Sequence, residues 1–140
     1  MTRELAPFYS KFPTRQTCID YLELIRWNNI PACPKCGSTK HSHIKEKSAY
    51  HCNFCNRTFT ATTKTIFHKS KIDLQKWFYA IHIMLQYDTN ITSRDLALKI
   101  EVAKDTAWAI QKKLKNALIK SPQLLLKLDD NLNNLIYGKQ

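Results

Sequence analysis

Apolar side chains recur at helical spacing in five stretches of this chain and lose that spacing in one. Cys18, Tyr21, Leu22 and Ile25 share one face. They predict a helix that Thr14 can cap, with Pro13 just outside it and Asn28–Pro31 ending it. Cys18 lies in the stripe and reads as a buried small hydrophobe, not a ligand or nucleophile. Leu74, Trp77, Phe78, Ile81 and Leu85 predict a second helix with Asp73 as N-cap. Tyr79, Ile83 and Met84 make it apolar nearly all round, the mark of a central helix. Thr92 or Ser93 opens a short helix bearing Leu96, Ala97 and Ile100, and a turn at Glu101–Ala103 follows. A longer helix then carries Ala107, Ile110, Leu114, Ala117 and Leu118 inward until Pro122 stops it. Leu124, Leu128, Leu132 and Leu135–Ile136 predict one more short helix in the tail, where Asp129 and Asp130 read as solvated tail residues or a helix cap.

The exception runs from Cys33 to Thr63. It is rich in Thr, Ser, Lys, His and Cys and poor in long aliphatic side chains, so it cannot build an ordinary core. Short strands fit His43–Lys45, Tyr50–Cys52 and Thr58–Thr60, and something other than apolar burial has to hold them. Cys33-Pro-Lys-Cys36 and Cys52-Asn-Phe-Cys55 supply it, with fifteen residues between the two pairs. A two-residue gap lets a tight knuckle aim both sulfurs at one ion, and zinc takes four thiolates tetrahedrally. Gly37 and Asn56 follow the second cysteines and are the residue types that tolerate the positive φ such knuckles need. Two disulfides, a redox pair or a four-thiolate iron centre are the competing readings, and zinc is preferred. Four closed ligands make the metal structural, not catalytic. His41, His43 and His51 lie close by and read as strand or surface residues. His68 and His82 have no partner pattern.

Composition narrows the class. The 140 residues are 44% hydrophobic and 24% charged, which suits a folded chain. Two glycines and five prolines exclude collagen and flexible-linker readings. No apolar run approaches the ~18 residues of a membrane span. The first ten residues lack a secretory core, which predicts a reducing, cytoplasmic setting. Charge is the strongest global signal: 22 Lys and Arg against 11 Asp and Glu give +11. Lys35–Lys76 alone holds nine basic and two acidic residues, whereas the last twenty residues are neutral. Such a surface favours a polyanion, nucleic acid before membrane.

Arg94–Leu118 has the layout of a helix-turn-helix, in which the second helix enters the major groove. With Ala107, Ile110 and Leu114 inward, Asp105, Ala109, Lys112 and Asn116 face outward, flanked by Lys104, Trp108, Lys113 and Lys115. Lysines there can neutralise phosphates; Asn116 suits an adenine edge and Asp105 a cytosine amino group. A second basic stretch, Lys64, His68, Lys69, Lys71 and Lys76, is joined to the ribbon by Arg57. It suits a phosphate backbone or a solvated face equally, and its Phe59 and Phe67 read as core.

From Phe12 to about Lys120 the chain resembles the N-terminal part of zinc-ribbon insertion-sequence transposases of the DDE type. The shared marks are Phe12-Pro13-Thr14, a helix ending in Arg26-Trp27, CPKCGS at 33–38 and YHCNFC at 50–55. TKTIFHKSKIDLQKWFYAIHIM at 63–84 follows, then a helix-turn-helix with Thr106-Ala107-Trp108. The resemblance implies recognition of transposon-end DNA, with strand transfer done by a following ribonuclease-H-like domain that uses three acidic residues and magnesium. That domain is not in this sequence. Where the family usually has Gly-Val-Ser before the recognition helix, Glu101-Val102-Ala103 stands here. Ala109 occupies a place where the family often has a basic residue. These departures imply a kept scaffold with altered groove-facing chemistry.

The reading is therefore a small α+β protein, a four-cysteine zinc ribbon of short antiparallel strands combined with a helical, helix-turn-helix-like module. Residues 1–30 are expected to pack a helix on the ribbon, 31–65 to form the ribbon, 66–120 the helical module with its helix-turn-helix at 93–119, and 121–140 the tail. The expected function is zinc-dependent binding of double-stranded DNA without strand transfer, in a nucleoid-associated protein of bacterial type. No membrane partner or small-molecule substrate is expected. The leucine-bearing tail offers a seam for a homodimer, and a protein-interaction module is the alternative. Expected metal ligands are Cys33, Cys36, Cys52 and Cys55. Expected DNA contacts are Arg94, Lys104, Thr106, Lys112, Lys113, Lys115, Asn116, Arg57, Lys64, Lys69 and Lys71.

Overall fold

The computed structural model describes residues 2–138. Among them the elements run α1 (Ala6–Lys11), α2 (Arg15–Trp27), β1 (His41–Ile44), a 3-10 turn (Lys45–Lys47), β2 (Ala49–Cys52), β3 (Thr58–Phe59), α3 (Leu74–Gln86), α4 (Ser93–Ile100), α5 (Lys104–Lys120) and α6 (Gln123–Tyr137). The class is small α+β: six helices and one three-stranded antiparallel sheet among the described residues. The chain divides into two compact units, Gln16–Ser70 and Met1–Arg15 with Lys71–Gln140.

In the first unit the sheet order is β1-β2-β3. His43 pairs with Tyr50 across β1 and β2, and Tyr50 with Phe59 across β2 and β3. That register puts Tyr50 and Phe59 side by side on one face, stacked at 5.6 Å. Trp27, the last residue of α2, meets both rings edge-on at 6.0 and 5.6 Å. Its neighbour Arg26 donates to the Ala61 carbonyl at 3.0 Å. The Tyr50 hydroxyl donates to Glu23. One helix end and three aromatic rings thus make up most of the ribbon's apolar support. The strands differ slightly from expectation. Lys45 starts the 3-10 turn instead of ending a strand, and Thr60 leaves β3 to join a hydroxyl network with Thr62 and Thr63.

In the second unit α3 is central and packs against α1, α4, α5 and α6. Its Trp77, Phe78, Ala80, Ile81 and Met84 are buried. Asp73 stands at its N-cap position, but the carboxylate caps no backbone; it accepts from the Tyr9 hydroxyl at 2.5 Å instead. Thr92 does cap α4, accepting from the Asp95 N–H at 3.1 Å. α4 ends on Glu101 at φ +56°, a left-handed position usually held by glycine. Val102 N–H reaches back to the Ala97 carbonyl at 3.1 Å, closing the turn into α5. The strained residue is tied on both sides: its carboxylate accepts from Thr2 N–H at 2.6 Å and its carbonyl from Lys76 Nζ at 2.9 Å. The same N–H bond is the main reason its carboxyl titrates below the usual range.

Three features depart from the sequence reading. α1 was not expected; Leu5, Phe8 and Phe12 are buried, with Phe8 5.1 Å from Tyr79 and Phe12 edge-on to Phe78 at 5.3 Å. α6 is a full fifteen-residue helix rather than a short one, with Leu125, Leu128 and Leu132 buried in its own chain. Asp129 is neither a solvated tail residue nor a cap. It is 2% exposed, its Oδ1 lies 3.2 Å from His82 Nδ1, and its Oδ2 accepts from Gln86 Nε2 at 2.5 Å. His82, which showed no partner in the sequence, is buried by that pairing and stacks on Tyr137 at 4.8 Å.

Candidate metal centre and basic faces

The two cysteine knuckles are built alike. In the first, Cys33 N–H donates to the Ser38 carbonyl at 2.9 Å and Gly37 N–H to the Cys33 carbonyl at 2.8 Å. In the second, Cys52 N–H donates to Arg57 at 2.8 Å and Asn56 N–H to Cys52 at 2.9 Å. Each closes with a residue at positive φ, Gly37 at 77° and Asn56 at 62°. A Cβ at Gly37 would meet nothing within 4 Å, so that position selects glycine for its backbone and not for space.

These turns bring the Sγ atoms of Cys33, Cys36, Cys52 and Cys55 within 4.8 Å of one another. Cys33 and Cys55 lie 3.6 Å apart, Cys36 and Cys52 3.5 Å. A disulfide needs about 2.05 Å, and none of the four is bonded. With metal–sulfur bonds of about 2.3 Å, a tetrahedron has edges of about 3.8 Å. The donor set therefore fits a tetrahedral ion such as zinc.

The four thiols are shifted in opposite directions. The Cys36 backbone N–H is the main reason Cys33 is pulled down to about 6. Cys52 is lowered likewise, chiefly by the Cys55 N–H. Burial and then the Cys52 and Cys33 sulfurs push Cys55 up. The Ser38 N–H opposes the rise at Cys36, but burial and the other three sulfurs together carry it up to about 12. The first cysteine of each knuckle is thus shifted toward the thiolate and the second toward the thiol. None of the three nearby histidines joins the cluster; His41 and His43 pack on Tyr50, edge-on at 5.2 Å and stacked at 4.8 Å.

The basic candidates fall into separate groups. Arg57 and Lys64 line one notch of about 280 Å³ against Cys33 and Phe59, and Lys35 lies there with them. Lys35 was counted only as charge in the sequence; its place between two candidate metal-ligand cysteines was the available signal. Lys69 and Lys71 are exposed but do not line that notch. On α5, Ala107, Ile110 and Leu114 are buried, while Lys104, Asp105, Trp108, Ala109, Lys112, Lys113, Lys115 and Asn116 are exposed. Lys112 Nζ sits 5.0 Å from the Trp108 ring centre, within cation–π range. Thr106 is half-buried and Arg94 exposed on α4. Sequence reasoning missed Gln111. It is buried in the inner face of α5, where Nε2 donates to the Ile91 carbonyl and Oε1 accepts from Ser93 Oγ at 2.6 Å. A lone glutamine inside an apolar stripe is the visible sign of such a tie.

Residues 13–58 match the transposase zinc-ribbon domain. The match includes all four cysteines, α2 and the sheet up to Thr58. A relative from Halobacterium salinarum, described as an uncharacterized protein in transposable element ISH50, is 31% identical over 100 residues, 69% of this chain. The chain spans 33% of that relative's length. No solved structure matches the chain. The sequence thus fits the zinc-ribbon region of an insertion-sequence transposase, and the four-sulfur cluster is the cluster of that ribbon. Among the described residues, no helix is long and apolar enough to cross a membrane.

Proposed function

We propose that this chain is a zinc-dependent, double-stranded-DNA-binding protein derived from the end-recognition region of a transposase, and that it does not itself carry out strand transfer. It acts in the cytoplasm on the nucleoid. Cys33, Cys36, Cys52 and Cys55 hold a structural Zn²⁺, whose binding contributes on the order of 10 kcal/mol to folding the ribbon. Four thiolates and one Zn²⁺ carry about −2, which the cations of the Lys35–Arg57–Lys64 notch offset before they meet phosphate.

The observation that carries the reading is the division of α5. One face is buried as Ala107, Ile110 and Leu114, and the opposite face presents Lys104, Lys112, Lys113, Lys115 and Asn116 to solvent behind a capped α4. That is the arrangement a recognition helix needs. Lys69, Lys71 and Arg94 add phosphate contacts in this reading, and Thr106, half-buried at the start of α5, makes a polar one.

Salt titration of duplex binding tests it. Log affinity should fall steeply with log salt, and replacing Lys104, Lys112 or Lys113 by Ala should each lower the slope by about one. Selection of bound fragments from random genomic DNA at two salt concentrations then separates a reader of one motif from a backbone binder. Binding that ignores salt, or slopes untouched by all three substitutions, refutes the assignment to α5.

A further inference from the structure

In the helical unit a cavity of about 760 Å³ carries chemistry opposite to the rest of the chain. Glu4, Asp88 and Asp95 line it against a single cation, Lys99, a formal −2 on a chain of +11. Its wall includes three tyrosines, Tyr79, Tyr87 and Tyr137. Burial raises the Tyr79 phenol to about 12 and raises Tyr137 as well, with the Glu4 charge adding to both.

The apolar part of this wall is open to water. Tyr87 is 73% exposed, Leu98 69% and Tyr137 41%. Large apolar side chains gathered in one concavity mark a docking surface, whereas scattered ones do not. A helix laid along the cavity covers these exposed side chains together. Nucleic acid is repelled by the three carboxylates. A cationic helix is attracted by them, and its lysine or arginine heads can meet tyrosine rings as well as acids.

We infer that this groove docks a basic amphipathic helix of a partner protein, its apolar anchors against Tyr87, Leu98 and Tyr137 and its cations against Glu4, Asp88 and Asp95. The inference is independent of the DNA reading, since it uses none of the α5 or ribbon cations.

The probe is a fluorescent 18-residue peptide of Leu and Lys at helical spacing, with a Leu/Glu peptide of the same pattern as control, added to zinc-loaded full chain. The Leu/Lys peptide should bind and the Leu/Glu peptide should not. Leu98→Ser, at an exposed site that leaves the core intact, should weaken binding at least tenfold, and so should Asp95→Asn, while DNA retention stays unchanged. Equal binding of both peptides, or binding indifferent to Leu98→Ser and Asp95→Asn, overturns the proposal. So does a self-associated species in sedimentation that Leu98→Ser dissolves, because the occupant would then be a second copy.

Discussion

The two units of this protein hold their shape by different means. Gln16–Ser70 has short strands, a few aromatic rings and four sulfurs within 4.8 Å. The helical unit has five packed helices around a core of Phe8, Trp77, Phe78, Leu96, Ile100, Leu114, Leu128 and their neighbours. In the first, cohesion is concentrated at one four-sulfur cluster suited to a metal ion, and in the proposed reading it comes as coordination energy. In the second it is spread over many side chains at about 1.5–3 kcal/mol each. Concentration makes a small basic surface possible without a large core beneath it. In the proposed reading it also makes that surface conditional on one ion.

Stripping the metal is the largest test of that contrast. A strong chelator, or Cys52→Ser, should remove on the order of 10 kcal/mol from the ribbon. Backbone NMR signals of residues 33–59 should collapse while those of α3 to α6 persist; simultaneous loss of both sets would show one cooperative unit. Next in size is Leu128→Ala in the buried face of α6, expected to cost about 2–5 kcal/mol in the helical unit. Zinc content per chain should not change, and a fall in it would tie the two units together. Asp129→Ala removes the acceptor of His82 and Gln86 and should cost about 1–3 kcal/mol for the polar groups left buried. Denaturant midpoints of the helical transition report it, and a midpoint equal to wild type would mean that water replaces the carboxylate. The smallest is Thr92→Ala, about 1 kcal/mol from the loss of the α4 cap. Amide exchange at Asp95 should speed up with it, and unchanged exchange would show that the cap is dispensable.

Legibility in the sequence follows how local each interaction is. The sulfur cluster was readable because two residues separate the cysteines of each knuckle, and Gly37 and Asn56 named the backbone they needed. The inner faces of α2, α3 and α5 were readable because Leu22 and Ile25, Phe78 and Ile81, and Ile110 and Leu114 recur at helical spacing. His82 and Asp129 were not, because 47 residues separate them and no local rule joins a histidine on one helix to a carboxylate on another. The reading of Asp129 as a tail charge failed for the same reason. α1 escaped because six residues are too few to show a period, although Leu5, Phe8 and Phe12 with Pro7 near its start were its signs. The acidic groove was invisible as well: Glu4, Asp95 and Tyr137 meet only once four helices have been placed.

The helical unit is discontinuous in the chain, and this fixes an order of events during synthesis. Residues 1–15 leave the ribosome well before the helices they belong with, which begin at residue 74 and end at 137. Phe8 has to wait for Tyr79 and Phe12 for Phe78. The ribbon, complete by Ser70, has all its ligands in hand while its neighbours are still being made. At about 5–20 residues per second, several seconds separate the two moments. In the proposed zinc-bound reading, metal supply therefore acts on the nascent chain before residues 1–15 have the later helices to fold against.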